Sequence, residues 1–315
     1  MRICLVSQEY PPETAKGGLG TQTFLKAQGL AALGHEVQVV SRSPDGAQTE
    51  RMDGPVRLTR VPGFDTRLPL ATEVADWLTY SAEVAVAVAT LHARQAFDLV
   101  DFPEWAAEGY VHLLNRSEWN RVPTVVHLHG PLVMFAHTLS WPALDSEFFR
   151  TGTAMESACL RLADAVFSSS QCSADWCARH YVLDRQRIPV IHAGVDTCLF
   201  APRAVPKAGR PTVIFAGKLA RNKGVFELLE ACAALRSEFP DLHLRLLGRA
   251  NHRSDRNSRR WRFAWVSRNC SNWLDSWNEP NCRNTSPARM FLPPPRATKA
   301  APALSIWRRW RAGCR

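Results

Sequence analysis

Short apolar runs alternate with stretches of helical period along most of this chain. Residues 2–6 (RICLV) form a β-branched apolar run of the kind that is buried on both faces of a parallel sheet. A long turn follows, with Tyr10-Pro11-Pro12 and then Gly17-Gly18-Leu19-Gly20. Residues 21–33 place Phe24, Leu25, Gln28, Ala31 and Ala32 at helical spacing, and Gly34 closes that helix as a C′ glycine does. Residues 36–40 (EVQVV) are a second strand. Strand, glycine-rich loop, helix and strand in that order open a doubly wound α/β domain. The alternation continues. Strands are expected at 56–60, 97–100, 124–129, 165–167 and 189–191. Helices are expected at 73–91, after Asp101-Phe102-Pro103-Glu104-Trp105, at 146–162 and through Trp176. The pattern predicts a parallel sheet covered on both faces.

Residues 201–211 are rich in Pro, Lys and Arg and read as a linker. A new unit starts at once, with a strand at 212–216, a loop at 217–224, a helix at 225–236 and a strand at 242–247. Near Arg249 the pattern breaks. Residues 250–315 show no sustained period, carry Pro293-Pro294-Pro295 and interleave Trp with Arg. The expected organisation is a complete Rossmann-like domain at 1–200, a linker at 201–211 and a partial second Rossmann-like domain at 212–249. A basic Trp/Arg-rich tail at 250–315, disordered or out of frame, follows.

Charge sharpens that boundary. The chain of 315 residues carries a net charge of +10. From Ala250 onward 13 Arg and one Lys face Asp255, Asp275 and Glu279, a balance of +11, so residues 1–249 carry −1. The first part is therefore charged like an ordinary enzyme, and the basic excess belongs to the tail. No run of about 18 apolar residues exists, so no membrane-spanning helix is expected. Met1-Arg2 leads straight into the first strand without a leader's apolar region. The nine cysteines form no C-x-x-C pair, which suits scattered thiols in a cytoplasmic protein.

Candidate chemistry gathers where strands end. The amides of Gly18, Leu19 and Gly20 lie where a buried strand meets a helix N-terminus, a place that favours a phosphate. A dinucleotide fingerprint fails, since Thr23 stands where a third glycine is needed and the second strand ends at Ser41-Arg42. Arg42 opposite a 2′-phosphate keeps an NADP-dependent oxidoreductase as an alternative. His127 and His129 are two apart on one strand, so their side chains are expected on opposite faces, with His129 the first candidate for the cleft. Asp101 and Glu104 lie at another strand's carboxyl end, where α/β proteins bind ligands. Glu104 reads equally as a first-turn acid favoured by a helix dipole. Lys218 and Lys223 flank the turn after the second unit's first strand, and solvated loop lysines are the plainer account of them.

Four segments in order resemble the retaining glycosyltransferases of family 4. They are Glu9-Tyr10-Pro11-Pro12 with Gly17-Gly18-Leu19-Gly20, His127-Leu128-His129-Gly130, His192-Ala193-Gly194-Val195-Asp196 with Phe200, and Gly217-Lys218 with Lys223-Gly224. The resemblance covers residues 1–249 and implies the two-domain GT-B fold. It also implies a nucleotide-sugar donor as substrate, a glycan or lipid-linked acceptor, and no cofactor or metal. Lys218, Lys223 and the amides of Gly18, Leu19 and Gly20 would hold the donor's diphosphate, His129 or His127 would serve as the site histidine, and Glu9, Asp101 and Glu104 would face the acceptor cleft. Lys218 stands where the family has arginine, and an ammonium cannot reproduce a guanidinium fork. A cytoplasmic location with peripheral contact at the inner face of a membrane completes this expectation. Binding of nucleic acid or of an anionic membrane by the basic tail is the competing one, weakened by the tail's lack of any reader-fold period.

The family would next supply two glutamates in an E-x7-E pattern, and residues 250–315, with Glu279 alone, contain no such pair. Reading the permitted codons of residues 297–315 from each third base allows Y-E-G-G-P-S-x-x-Y-L-E-A-M-A-C-G-L-P. That run resembles the missing segment, with eight residues between its acids. The expectation is that residues from about 250 onward are translated out of frame, leaving an impaired enzyme or an inactive remnant.

Overall fold

The computed structural model describes residues 1–14, 17–63, 74–202, 204, 206 and 209–248. Expectations about residues 250–315 lie outside the described residues. The described chain divides into two compact units, Met1–Phe200 and the residues from Ala201 onward.

In the first unit the apolar runs become strands β1 (Arg2–Val6), β2 (Glu36–Arg42), β3 (Thr49–Asp53), β4 (Val56–Val61), β5 (Leu99–Pro103), β6 (Thr124–Leu128) and β7 (Ala165–Ser168). The helices are α1 (Gly18–Ala32), α2 (Ala75–Arg94), α3 (Tyr110–Leu114), α4 (Leu132–Leu139), α5 (Glu147–Leu162) and α6 (Gln171–His180). The strands form one sheet in the order β3-β4-β2-β1-β5-β6-β7, parallel throughout except for β3 against β4. All five residues of β1 are buried. Ile3 and Leu5 pack with Val39, Leu58 and Ala27 on the α1 face, while Cys4 and Val6 pack with Val100, Val126 and the α2 residues Tyr80, Val84 and Val88 on the other. Two-sided burial is why this strand alternates in neighbours but not in polarity. Burying each such Val or Leu is worth about 1.5–3 kcal/mol relative to exposure.

The chain runs outward from β1 through β2 to β4, then returns to β5 beside β1 and runs outward on the opposite side. The crevice at the carboxyl ends of β1 and β5 is thus the sheet's topological switch point, where open α/β sheets bind ligands.

Several expectations are corrected. Helix α1 begins at Gly18, so Gly18, Leu19 and Gly20 form its first turn rather than a loop before it. Residues 189–191 contribute one parallel bridge, Ser168 to Val190, and no strand. β3 and α4 were not expected. β3 is an exposed edge strand (TERMD) joined to β4 through Gly54, whose φ of 60° suits a tight hairpin turn. Gly34 does adopt the left-handed conformation, with φ 86°, that closing α1 requires.

The second unit contains β8 (Thr212–Ala216), α7 (Val225–Ala234) and β9 (His243–Leu247), with β8 and β9 paired in parallel. Among its described residues Val225 is the one buried hydrophobic, because two strands and one helix leave most of the sheet surface open.

Candidate active site

The loops that leave β1, β5, β6 and β7 converge at the switch point, and buried carboxylates shape them. A tight turn after β5 holds Ala106 and Ala107 at φ 61° and 48°, a conformation that costs an L-residue about 1–2 kcal/mol. Glu104 and Glu108 stand at the two ends of this turn, and both side chains are fully buried. Glu104 accepts the His129 amide at 2.7 Å on both oxygens and also the Gly130 amide. Glu108 accepts the Gln8 amide at 3.1 Å, fixing the start of the loop after β1. A third buried carboxyl, Glu156 on α5, accepts the Leu132 amide at 3.0 Å and the Tyr181 hydroxyl. Burial pushes Glu104 up to about 7 and Glu108 up to about 8, against the pull of the amides they bind.

Arg60, at the end of β4 and 3% exposed, ties down the first loop from below. It donates to the carbonyls of Tyr10 (3.0 Å) and Arg42 (3.2 Å), to Thr14 and Ser41 hydroxyls, and to Glu13 at 2.5 Å.

At the carboxyl end of β6 the two histidines meet. Their ring centroids lie 3.9 Å apart, which corrects the expectation of opposite faces. β6 ends at Leu128, so strand alternation no longer governs His129, whose backbone turns back onto Glu104. His127 is buried, stacked on Phe167 at 4.2 Å, with Nδ1 3.0 Å from Lys26 Nζ and Nε2 2.7 Å from Ser169 Oγ. His129 is half-buried, and no hydrogen-bond partner for its ring is found among the described residues. Burial first, and the Lys26 ammonium second, hold His129 down at about 3 and His127 far below the usual histidine range. Both rings are therefore neutral near pH 7, able to hydrogen-bond but not to serve as an imidazolium acid.

The other expected residues divide. Asp101 is buried within β5, and its carboxylate pairs with Lys26 at 3.1 and 3.3 Å. Glu104 points into the interior and acts on the β6 loop, so it is neither a cleft group nor a helix-dipole acid. Glu9 is half-buried and its carboxylate accepts the Gly20 amide at 3.3 Å. That carboxylate occupies the α1 N-terminus in the way a capping acid does, so the expected cradle of three free amides is not what the fold builds. Lys218 and Lys223, in the second unit, are both exposed. Sequence reasoning missed Lys26, Ser169, Glu108 and Glu156. Only Ser169 carried a signal, as the middle of a serine run at a strand's carboxyl end. Among the described residues no three His, Cys, Asp or Glu side chains are placed to hold a metal, and no helix is long and apolar enough to cross a membrane.

Arg42 answers the nucleotide-cofactor alternative. Its guanidinium lies 4.6 Å over the Tyr80 ring, and its side chain fills the space a Cβ at Gly63 would enter. The place expected to face a 2′-phosphate is packed inward.

The sequence model of Glycosyltransferase Family 4 matches residues 16–198, more than half of the chain. The chain belongs to Glycosyltransferase Family 4. The matched stretch holds Lys26, Asp101, His127, His129 and Ser169 together. Among relatives of this family-4 chain, the glycogen synthase of Mycobacterium tuberculosis is 26% identical over 263 residues, covering 79% of this chain and 61% of that protein. The MMP alpha-(1->4)-mannosyltransferase of Mycolicibacterium hassiacum is 28% identical over 276 residues, covering 78% and 64%. The chain spans about three fifths of the length of these curated relatives. Sucrose-phosphate synthase from Thermosynechococcus elongatus shares the fold, with a TM-score of 0.62 and 23% identity over 83% of this chain and 66% of that one. The expected GT-B-like α/β class agrees with that likeness, and none of these relatives supports the oxidoreductase alternative.

Proposed function

We propose that this protein belongs to a retaining hexosyltransferase, which moves a sugar from a nucleotide donor to a glycan or lipid-linked acceptor. The observation that carries the reading is the family match over residues 16–198, the stretch that builds the histidine cluster at the switch point. Loss of a nucleoside diphosphate develops negative charge on the leaving oxygen, and fixed cations and amides aimed at that oxygen lower the barrier. Lys218 and Lys223, at the turn after β8, are the cations this reading assigns to the donor. His129 offers a neutral imidazole to a sugar hydroxyl, which suits a reaction whose leaving group needs no proton from the protein. The nucleotide sugar is the substrate, and the proposal invokes no resident cofactor. An acceptor on a lipid would bring the protein to the inner face of a membrane.

The proposal includes an impairment. The donor-holding glutamates are absent from the chain as written, and the shifted reading of residues 297–315 would restore two of them. A loosely placed donor reacts slowly, since about 1 Å of misplacement costs roughly a hundredfold in rate. A panel of nucleotide sugars, read by release of the nucleoside diphosphate, tests the activity. The gene's nucleotide sequence tests the frame, and the absence of an open alternate frame after the Arg249 codon would remove that part of the proposal.

A further inference from the structure

Four side chains from four separate elements form an unbroken polar chain beneath the candidate site. Lys26 on α1 donates to both oxygens of Asp101 on β5, at 3.1 and 3.3 Å. Its remaining donor faces His127 Nδ1 on β6 at 3.0 Å, and His127 Nε2 lies 2.7 Å from Ser169 Oγ after β7. An ammonium has three donors and no acceptor. His127 Nδ1 must therefore accept, which puts the neutral ring's single proton on Nε2. That proton is donated to Ser169 Oγ, so the serine's own proton has to point elsewhere. No other partner for Ser169 Oγ is found among the described residues, and Ser169 is half-buried directly after the carboxyl end of β7.

We infer that Lys26 is a positioning residue that sets the direction of hydrogen bonding at this site, fixing His127 as the Nε2–H tautomer and leaving the Ser169 hydroxyl to donate to an oxygen of the bound substrate. Phe167 stacks on the His127 ring at 4.2 Å, the His129 ring lies tilted against it at 3.9 Å, and the two hold its plane. Desolvation by these neighbours also favours the neutral ring that this direction requires. Ser169 then favours a substrate oxygen that can accept its proton, since only one lone pair of Oγ is left to receive a proton from the substrate. The catalytic consequence rests on the glycosyl-transfer reading. The tautomer does not, so the two fail separately.

Histidine-selective 15N labelling of the full chain, with long-range 1H–15N correlation near pH 7, tests this without any substrate. The His127 signals are assigned through their contacts to the Phe167 ring. The expected result is an imine-type Nδ1 and a protonated Nε2 in the unmodified chain. Lys26→Met should relax this to a mixture or to the opposite tautomer. Lys26→Arg, which also only donates, should keep it. Ser169→Ala should leave it in place, because the direction is set from the lysine end. A protonated Nδ1 in the unmodified chain overturns the inference before any variant is made. A tautomer unmoved by Lys26→Met, or one switched by Ser169→Ala, overturns it equally.

Discussion

Replacing Glu104 by glutamine should reverse the order of stability between variant and parent as pH rises. The carboxyl is fully buried and is pushed up to about 7 from an ordinary 4.5. Between those values the folded chain binds more protons than the unfolded one. The contribution of the protonated carboxyl is whole below about pH 4.5 and is lost as pH rises through about 7. The difference between the two values corresponds to about 3 kcal/mol at full ionisation. Glutamine has no such dependence. Its amide oxygen can still accept from the loop of His129 and Gly130, but its NH2 has no lone pair for the backbone donor it faces, whereas the protonated acid's OH keeps one beside its single proton. That mismatch costs about 1–2 kcal/mol. At pH 5 the Glu104→Gln chain should be the less stable by about that amount, and at pH 8.5 it should be the more stable by a similar margin. Urea unfolding followed by far-UV circular dichroism at the two pH values measures both differences. The Glu104 charge also raises Glu108 and Glu156, so its removal eases their ionisation and shifts the difference at pH 8.5 in the same direction. The same difference at both pH values would show that Glu104 is not a buried, protonatable support for the β6 loop.

Two further substitutions separate support from chemistry. His127→Ala removes a ring bonded to both Lys26 and Ser169 and should cost about 2–4 kcal/mol of stability, whereas His129→Ala should cost about 1–2 kcal/mol and act mainly on turnover. Equal losses in urea unfolding would contradict the division of roles between the rings. Arg60→Met takes a donor from the Tyr10 and Arg42 carbonyls, leaves Arg51 as the cation on Glu13, and should cost about 1–3 kcal/mol. The freed loop should also become cleavable after Glu13 by a glutamyl endoproteinase, and unchanged cleavage would show that Arg60 does not restrain it.

What could be read in the sequence followed from two-sided burial. β1, β2, β5 and β6 are covered on both faces, so they appear as apolar runs. β8 and α7 kept their expected starts because a strand and a helix joined by a glycine-ended loop are local patterns. β3 was invisible because its residues Thr49 to Met52 are exposed, leaving only Asp53-Gly54 as a turn signal. α4 (LVMFAHTL) is apolar on nearly every side and so carries no period to read. The start of α1 was misplaced because its first-turn amide is satisfied by Glu9, a cap supplied from 11 residues upstream rather than by the residue at the helix boundary. At the site, both histidines were found and their directions were not, since alternation stops where β6 stops. Lys26 could not be found at all. A lysine on a helix reads as solvated, and only the fold brings it against Asp101, 75 residues away in sequence.

The most direct measurement is nucleoside diphosphate release from a panel of nucleotide sugars by three proteins. These are the chain as written, a chain with the reading frame restored after the Arg249 codon, and the restored chain carrying His129→Ala. The account predicts turnover by the restored chain, at least about a hundredfold less by the chain as written, and a marked loss on His129→Ala. Equal turnover by the chain as written would contradict the proposed impairment. No turnover of any nucleotide sugar by the restored chain, or turnover indifferent to His129, would contradict the claim that the histidine cluster at the switch point is a glycosyl-transfer site.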